Sequence, residues 1–247
     1  MKKILILQMR PEDEATDSEF EAILRIGEIA RDQAEQIRVE QGEIVDVDLD
    51  RYCAIIAGGS PFDISYPTDK KSEAQQHVES FFTRLFDQVV PNDFPFLGAC
   101  SGNGLLGKYC GTSISSKYSE PIGSVMVQVT EEGAKDPLLV DLPKQFLALA
   151  GHKEACDTVP QDAVLLATSE ACPVQMFRLK NNIYATQFHP EADVGEYIIR
   201  IHTYKYHGYF PPEEAEELIA AIQGTETPHA HEILRRFVSK YKTETRS

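Results

Sequence analysis

The pentapeptide GACSG, Gly98–Gly102, places a cysteine among small residues where the apolar run FPFL gives way to a helical pattern. A strand-to-helix turn that strains its central residue tolerates only small neighbours, and it lifts the central side chain clear of the backbone. The N-terminus of the following helix would aim free N–H groups and its dipole at the Cys100 sulfur, which favours thiolate. A nucleophile of this kind needs a base, and the base needs a group to orient it. QFHPE, Gln187–Glu191, offers both. His189 and Glu191 lie two apart, so in extended backbone their side chains emerge on one face, with Pro190 stiffening the link. AGGSP, Ala57–Pro61, ends another apolar run. Glycine there lets the backbone approach a reacting carbonyl, and the N–H groups of Gly59 and Ser101 are the candidates for stabilising an oxyanion. Taken singly, these stretches also read as a buried cysteine, a surface His–Glu pair and a plain turn. Their joint occurrence favours thiolate attack on a carbonyl carbon, with a His–Glu pair moving the proton.

These stretches have to be held by regular elements. Lys3–Leu7, Gln36–Val39, Ala54–Ala57 and Phe94–Leu97 are short aliphatic runs of the kind that form strands buried on both faces. Ser18–Ala30 and Ser72–Val89 have helical spacing, the second with Val78, Phe81, Phe82, Leu85 and Phe86 along one side. Gly102–Tyr109 continues from the cysteine as a further helix. Strands and helices alternating at this spacing predict a mostly parallel sheet covered on both faces. Val125–Val129, Phe146–Leu149, Val164–Ala167, Val174–Leu179 and Ile183–Gln187 then follow in close succession, which predicts antiparallel additions with Asn181-Asn182 as a hairpin turn. Helices are predicted over Val194–His207, Pro212–Gln223 and His229–Tyr241. The expected fold is α/β: a three-layer α/β/α arrangement with a mostly parallel central sheet, antiparallel additions and a helical C-terminal tail. It is expected to form a single domain over 1–247, with a core of about 1–208 and the tail at 209–247.

The bulk properties narrow the function class. A chain of 247 residues is long enough for a sizeable core. Its net charge of −15 argues against nucleic-acid binding, which needs clustered Lys and Arg to neutralise phosphates. No run approaches the ~18 apolar residues of a membrane span, and MKKILILQMRPEDE reads as a first strand rather than a signal peptide. Five cysteines, an odd number, widely spaced and without a CxxC pair, fit reduced thiols in a cytoplasm better than a disulfide framework. His202 with His207, and His229 with His231, lack metal-ligand spacing and read as packed or solvated side chains. No Walker or dinucleotide-binding glycine pattern occurs, so no cofactor is expected.

In this order the three stretches resemble the class I glutamine amidotransferases, over roughly Met1–Gly208. The chain resembles in particular the free-standing relatives of the glutaminase domain of GMP synthetase. EGAKDPLL, GHKEAC ahead of Pro160, and SEACPVQMF before YATQFHPE are similar to the intervening segments of that group. The resemblance implies Cys100 as nucleophile, His189 as base and Glu191 as its orienter. It places Gly59 and Ser101 at the oxyanion, and Gly58, Gly104 and His152 toward the substrate, with no metal. The implied reaction is thiolate attack on a side-chain amide, release of ammonia and hydrolysis of a γ-glutamyl thioester. A small-molecule amide substrate, a cytoplasmic location and a separate ammonia-accepting synthetase as possible partner follow from it. The chain departs from the family where the elbow often continues His-Gln: Asn103 and Gly104 stand there. Lys153-Glu154 stands where Gly-Asp frequently follows the loop histidine. Two alternatives stay open: a non-catalytic binding or regulatory module on the same fold, and a γ-glutamyl peptide hydrolase.

Overall fold

The computed structural model describes residues 2–42 and 46–242. The elements run β1 (Lys3–Gln8), α1 (Asp13–Ile26), β2 (Ala34–Arg38), β3 (Tyr52–Ala57), α2 (Glu73–Val89), β4 (Phe96–Ala99) and α3 (Ser101–Tyr109). They continue with β5 (Ile114–Ser115), β6 (Glu120–Val129), β7 (Gln145–His152), β8 (Ala155–Cys156), β9 (Ala163–Thr168), β10 (Met176–Leu179) and β11 (Ile183–Thr186). Three helices close the described chain: α4 (Val194–Tyr204), α5 (Ala215–Ile222) and α6 (Pro228–Lys242). No helix among the described residues is long and apolar enough to cross a membrane.

One sheet of nine strands, in the order β2-β1-β3-β4-β11-β10-β9-β6-β7, organises the molecule. From β2 to β11 the pairing is parallel, and from β11 to β7 it is antiparallel. The first strand shows why the parallel half reads as unbroken apolar runs. Ile4 and Ile6 enter one apolar layer, while Leu5 and Leu7 enter the other. On the first face, Phe20, Ile23 and Leu24 of α1 and Ile233, Leu234 and Phe237 of α6 cover Ala54 and Ile56. On the second, Phe81, Phe82 and Phe86 of α2 and Leu105 and Leu106 of α3 cover Ile55 and Phe96. Each fully buried aliphatic or aromatic side chain of this kind contributes roughly 1.5–3 kcal/mol, so both layers are needed to hold the strand ends in register.

The expected class is found, with shifts in detail. Helix α1 starts at Asp13 rather than Ser18, because Asp13 and Glu14 are favourable in a first turn that carries no apolar signal. Strand β6 reaches back to Glu120, which pairs with His152 at the end of β7. Asn181 and Asn182 do form the turn between β10 and β11, and Asp93 accepts hydrogen bonds from both of their backbone N–H groups. The C-terminal segment is helical as expected, and α6 lies in the same apolar layer as α1. The last five residues of the predicted tail, 243–247, lie outside the described residues.

Parallel pairing brings four strand ends to one edge of the sheet. β1 runs into Arg10, β3 into Gly58-Gly59-Ser60, β4 into Cys100 and β11 into Gln187–Glu191. The carboxyl ends of parallel strands are where open α/β sheets carry their sites.

Candidate active site

Cys100 sits between β4 and α3 with φ 51° and ψ −99°. A non-glycine residue in this region costs on the order of 1–3 kcal/mol and persists only where its surroundings over-determine it. Two restraints do so. The Cys100 N–H donates to the Thr186 carbonyl at 2.8 Å, tying the turn to the end of β11. Gly98 lets the helix fold back onto the strand: a Cβ there would lie 2.8 Å from the Gly102 carbonyl carbon. The expected elbow geometry is present, and the cysteine caps the N-terminus of α3. Ser101 anchors the β3 loop, its Oγ accepting from the Ser60 N–H at 2.9 Å and bonding the Ser60 hydroxyl at 2.8 Å.

His189 and Glu191 meet, though not along an extended strand. The chain bends at Gln187-Phe188 and turns after His189, where the Ala192 N–H donates to the His189 carbonyl at 3.4 Å. The turn brings His189 Nδ1 to 2.5 Å from Glu191 Oε1, with both residues buried. A carboxylate at that distance favours the tautomer with the proton on Nδ1, which leaves Nε2 as the basic nitrogen. Arg200 of α4 backs the pair: Nη1 lies 2.9 Å from His189 Nδ1 and Nη2 lies 3.1 Å from Glu191 Oε1. The same guanidinium reaches Glu196 Oε1 at 2.5 Å and Glu19 Oε1 at 3.3 Å, and Arg10 Nε donates to Glu19 Oε1 at 2.9 Å. All five charged side chains of this network are buried.

The network decides the protonation states. Burial lowers the His189 pKa and the charges of Arg200 and Arg10 lower it further, against the opposing pull of Glu191, so the imidazole is held neutral. Burial alone would raise the Glu191 carboxyl, but His189 and Arg200 outweigh it and hold it well below the usual carboxylate range. Burial pushes Glu196 up to about 7 despite Arg200 and Arg10. It also pushes the Cys100 thiol up to about 11, against Arg10, Arg200 and the Ser101 N–H. The helix N-terminus therefore does not by itself make a thiolate here, contrary to the expectation from the elbow, because desolvation of the half-buried cysteine costs more than the dipole returns. Alkylation of Cys100 by iodoacetamide in the free protein should be slow at pH 7 and rise by about tenfold per pH unit toward pH 11. Site-resolved mass spectrometry checks this, and fast, pH-independent labelling near pH 6–7 would refute it.

A cleft with about 380 Å³ of empty volume, open mouth included, lies beside Cys100 and is bordered by Ser60, Ile64, Lys153 and Gln187. Gln187 brings its amide Nε2 to 4.0 Å from Cys100 Sγ, while its buried Oε1 has no hydrogen-bond partner among the described residues. His152 also borders the cleft, but its ring is engaged: Nε2 lies 2.8 Å from Glu120 Oε2 and Nδ1 lies 3.0 Å from the Glu154 carbonyl. It braces the loop that carries Lys153. Glu120, His152 and Cys172 are close enough together to hold a metal ion. The Glu120 oxygens, however, already accept from Ser169 Oγ, Gln175 Nε2 and the His152 ring, so the group is built as a hydrogen-bonded cluster.

The glycine loop differs from its sequence assignment. The Gly59 N–H, expected at the oxyanion, instead points to Glu19 Oε1 at 3.3 Å. A Cβ at Gly59 would fall 2.6 Å from Arg10 Nη2 and 2.9 Å from His189 Cε1, so this glycine makes room for the charged network. Gly58 abuts the Glu19 carboxylate, and Gly104 packs on Ile64 in the cleft wall. The loop residue that borders Cys100 is Ser60. Arg10, Glu19, Ser60, Arg200, Tyr197 and Tyr209 all escape the sequence reading. Two signals were available: Arg10 directly follows a parallel strand, and Glu196 with Arg200 has helical i, i+4 spacing. Glu19 carries none, since on α1 it looks like part of a polar face.

Comparison with known proteins gives the family. The family model for glutamine amidotransferase class-I matches residues 67–206, which contain Cys100, His189, Glu191 and Arg200. A glutamine-hydrolyzing GMP synthase subunit of Thermoplasma volcanium is 28% identical over 140 residues, 56% of this chain and 62% of that protein. The corresponding GMP synthase chain of Methanococcus maripaludis is 34% identical over 110 residues, 44% of this chain and 57% of that one. The matches thus span about 60% of these relatives' lengths. Among solved structures, a glutamine amidotransferase from Thermotoga maritima superposes with a TM-score of 0.75 at 21% identity, covering 98% of this chain and 100% of that one. A glutamine amidotransferase from Methylobacillus flagellatus gives 0.70 at 16% identity, covering 98% of this chain and 96% of that one. With the family model covering more than half of the chain, and with a doubly covered sheet that carries a strained cysteine turn at one edge, the protein belongs to the class I glutamine amidotransferases.

Proposed function

We propose that the chain, as a single domain, is a cysteine-dependent amidohydrolase that releases ammonia from glutamine or another γ-glutamyl amide. The observation that carries this reading is that a strained cysteine, tied to the end of β11, borders the same lobe as a neutral His189 whose Nδ1 lies against Glu191. In this mechanism His189 Nε2 takes the Cys100 proton as sulfur attacks the amide carbon. The Ser101 N–H stabilises the oxyanion. The Ser60 N–H, which rests on the Ser101 hydroxyl in the free site, joins it and replaces the Gly59 donor expected from the sequence. His189 then returns the proton to the leaving nitrogen, the C–N bond breaks, and water hydrolyses the thioester to free acid and thiol. Because resting thiol and imidazole are both neutral, proton transfer and attack are coupled. The neutral imidazole is the form a general base requires.

The names of the relatives point to a separate ammonia-accepting synthetase as the partner class, and the reduced, unpaired cysteines suit a cytoplasmic location. The test is release of ammonia and glutamate from glutamine and γ-glutamyl peptides by the purified chain, with Cys100→Ala as control. Equal rates for the two proteins would sink the mechanism. Tight binding of glutamine without Cys100-dependent turnover would favour the binding-module alternative.

A further inference from the structure

Cys100 borders two lobes. The cleft with Gln187 and Lys153 is one, and a second, also bordered by Cys100, has about 410 Å³ of empty volume, open mouth included. They share Ser60, Cys100, Gly151 and Tyr209, and the second is walled by Arg10, Ile122, His189, Tyr197, Arg200 and Tyr204. From this arrangement we infer that the second lobe receives the leaving amine of an N-substituted γ-glutamyl amide, and that its substituent carries a carboxylate. The inference rests on the amidohydrolase reading and names the substrate class of that same site.

The chemistry sets the direction. The γ-glutamyl portion attaches to the carbonyl carbon that Cys100 attacks, and it occupies the lobe with Gln187 and Lys153. The leaving nitrogen must lie within reach of His189, which gives it its proton. Whatever that nitrogen carries therefore projects past His189 into the lobe His189 borders. Ammonia carries nothing and uses none of this space, yet the second lobe is as large as the first.

Its walls point to the ligand. The Tyr197 hydroxyl is buried and has no hydrogen-bond partner among the described residues, and Tyr197 is 3% exposed. Arg10 gives Nε to Glu19 and Nη1 to the Tyr204 hydroxyl at 3.2 Å, while Nη2 has no acceptor among the described residues. A phenol and a guanidinium are donors that an anionic acceptor satisfies best, in charge-assisted hydrogen bonds. The carboxylates that balance these arginines, Glu19, Glu191 and Glu196, do not border the lobe. The rings of Tyr204 and Tyr209 pack at 5.6 Å and offer an apolar wall to the connecting carbons.

In the resulting reaction the Cys100 S–H proton passes to His189 and the sulfur–carbon bond forms. The C–N bond then breaks with transfer of that proton to nitrogen, and the amino acid leaves through the second lobe. Water next cleaves the thioester to glutamate and restores the thiol.

The experiment compares kcat/KM for glutamine, γ-glutamylethylamide and γ-glutamylglycine by glutamate release from the full chain, with Cys100→Ala as blank. γ-Glutamylglycine is expected to exceed glutamine by at least tenfold, with the ethylamide between them, and Tyr197→Phe should shrink the γ-glutamylglycine to glutamine ratio. A preference for glutamine over both amides would overturn the lobe assignment and leave the Cys100 mechanism standing. Equal rates for the ethylamide and γ-glutamylglycine, or a ratio unmoved in Tyr197→Phe, would overturn the carboxylate assignment. No Cys100-dependent glutamate from any compound would overturn the underlying reading and this inference with it.

Discussion

Replacing Cys100 by alanine is expected to lower amide hydrolysis by about 10⁴-fold or more, and adding His189→Ala to that variant is expected to cost nothing further. On the proposed mechanism the two residues act as one unit. With the thiol pushed up to about 11, only roughly one molecule in 10⁴ carries a thiolate at pH 7 without a base to take the proton. His189→Ala alone should therefore approach the loss seen in Cys100→Ala, instead of the smaller effect expected where the sulfur is already ionised. Steady-state ammonia release from the two single variants and the double variant decides the matter. A His189→Ala protein that keeps more than about a tenth of the activity would mean that Cys100 ionises independently of His189.

Arg200 is the residue whose loss should disturb most at once. Arg200→Leu leaves Glu19, Glu191 and Glu196 buried with their shared cation gone, and breaking a buried pair in this way typically costs about 3–5 kcal/mol. Arg200→Lys keeps a charge but not the planar fork that spans four partners, so it should recover only part of the stability. The pH dependence separates positioning from bulk structure. Arg200 is one of the charges that lower His189, so its removal raises the His189 pKa and moves the acid limb of kcat/KM to higher pH. The stability effect has its own sign. The Glu191 pKa is depressed in the folded protein; its contribution is present above the unfolded carboxyl pKa and is lost as pH falls through the folded value. Without Arg200 that depression shrinks, so the wild type's advantage should be larger at pH 7 than near pH 3. Urea unfolding across that range, together with kcat/KM–pH profiles, gives both measurements. Unchanged melts with an unmoved acid limb would remove Arg200 from the mechanism.

The elements and the two site stretches differ in how far local sequence could specify them. Strands β1, β3 and β4 were legible because burial on both faces demands unbroken aliphatic runs, and α2 was legible because one of its faces carries Phe81, Phe82 and Phe86 into an apolar layer. The start of α1 was not, since its first turn rests on Asp13 and Glu14 rather than on apolar periodicity. GACSG announced its turn because the constraint is steric and local: the space beside Gly98 is occupied by Gly102, only four residues on. QFHPE likewise keeps its two partners within one turn.

Neighbours along the chain thus determined by themselves that a cysteine would stand in a tight turn, that a histidine would have a carboxylate beside it, and that a parallel sheet would carry both. The tertiary structure alone decided what surrounds them. Glu19 and Arg200 are 181 residues apart and have no sequence relation that calls for a partner. They meet because α1 and α4 pack together at the edge of the sheet. The partners of the loop N–H groups were decided there too: Glu19 takes the Gly59 N–H, and the Ser60 N–H turns to Ser101. So was the ionisation of Cys100: helix dipoles are properties of a local turn, whereas desolvation depends on every chain segment that closes over the sulfur.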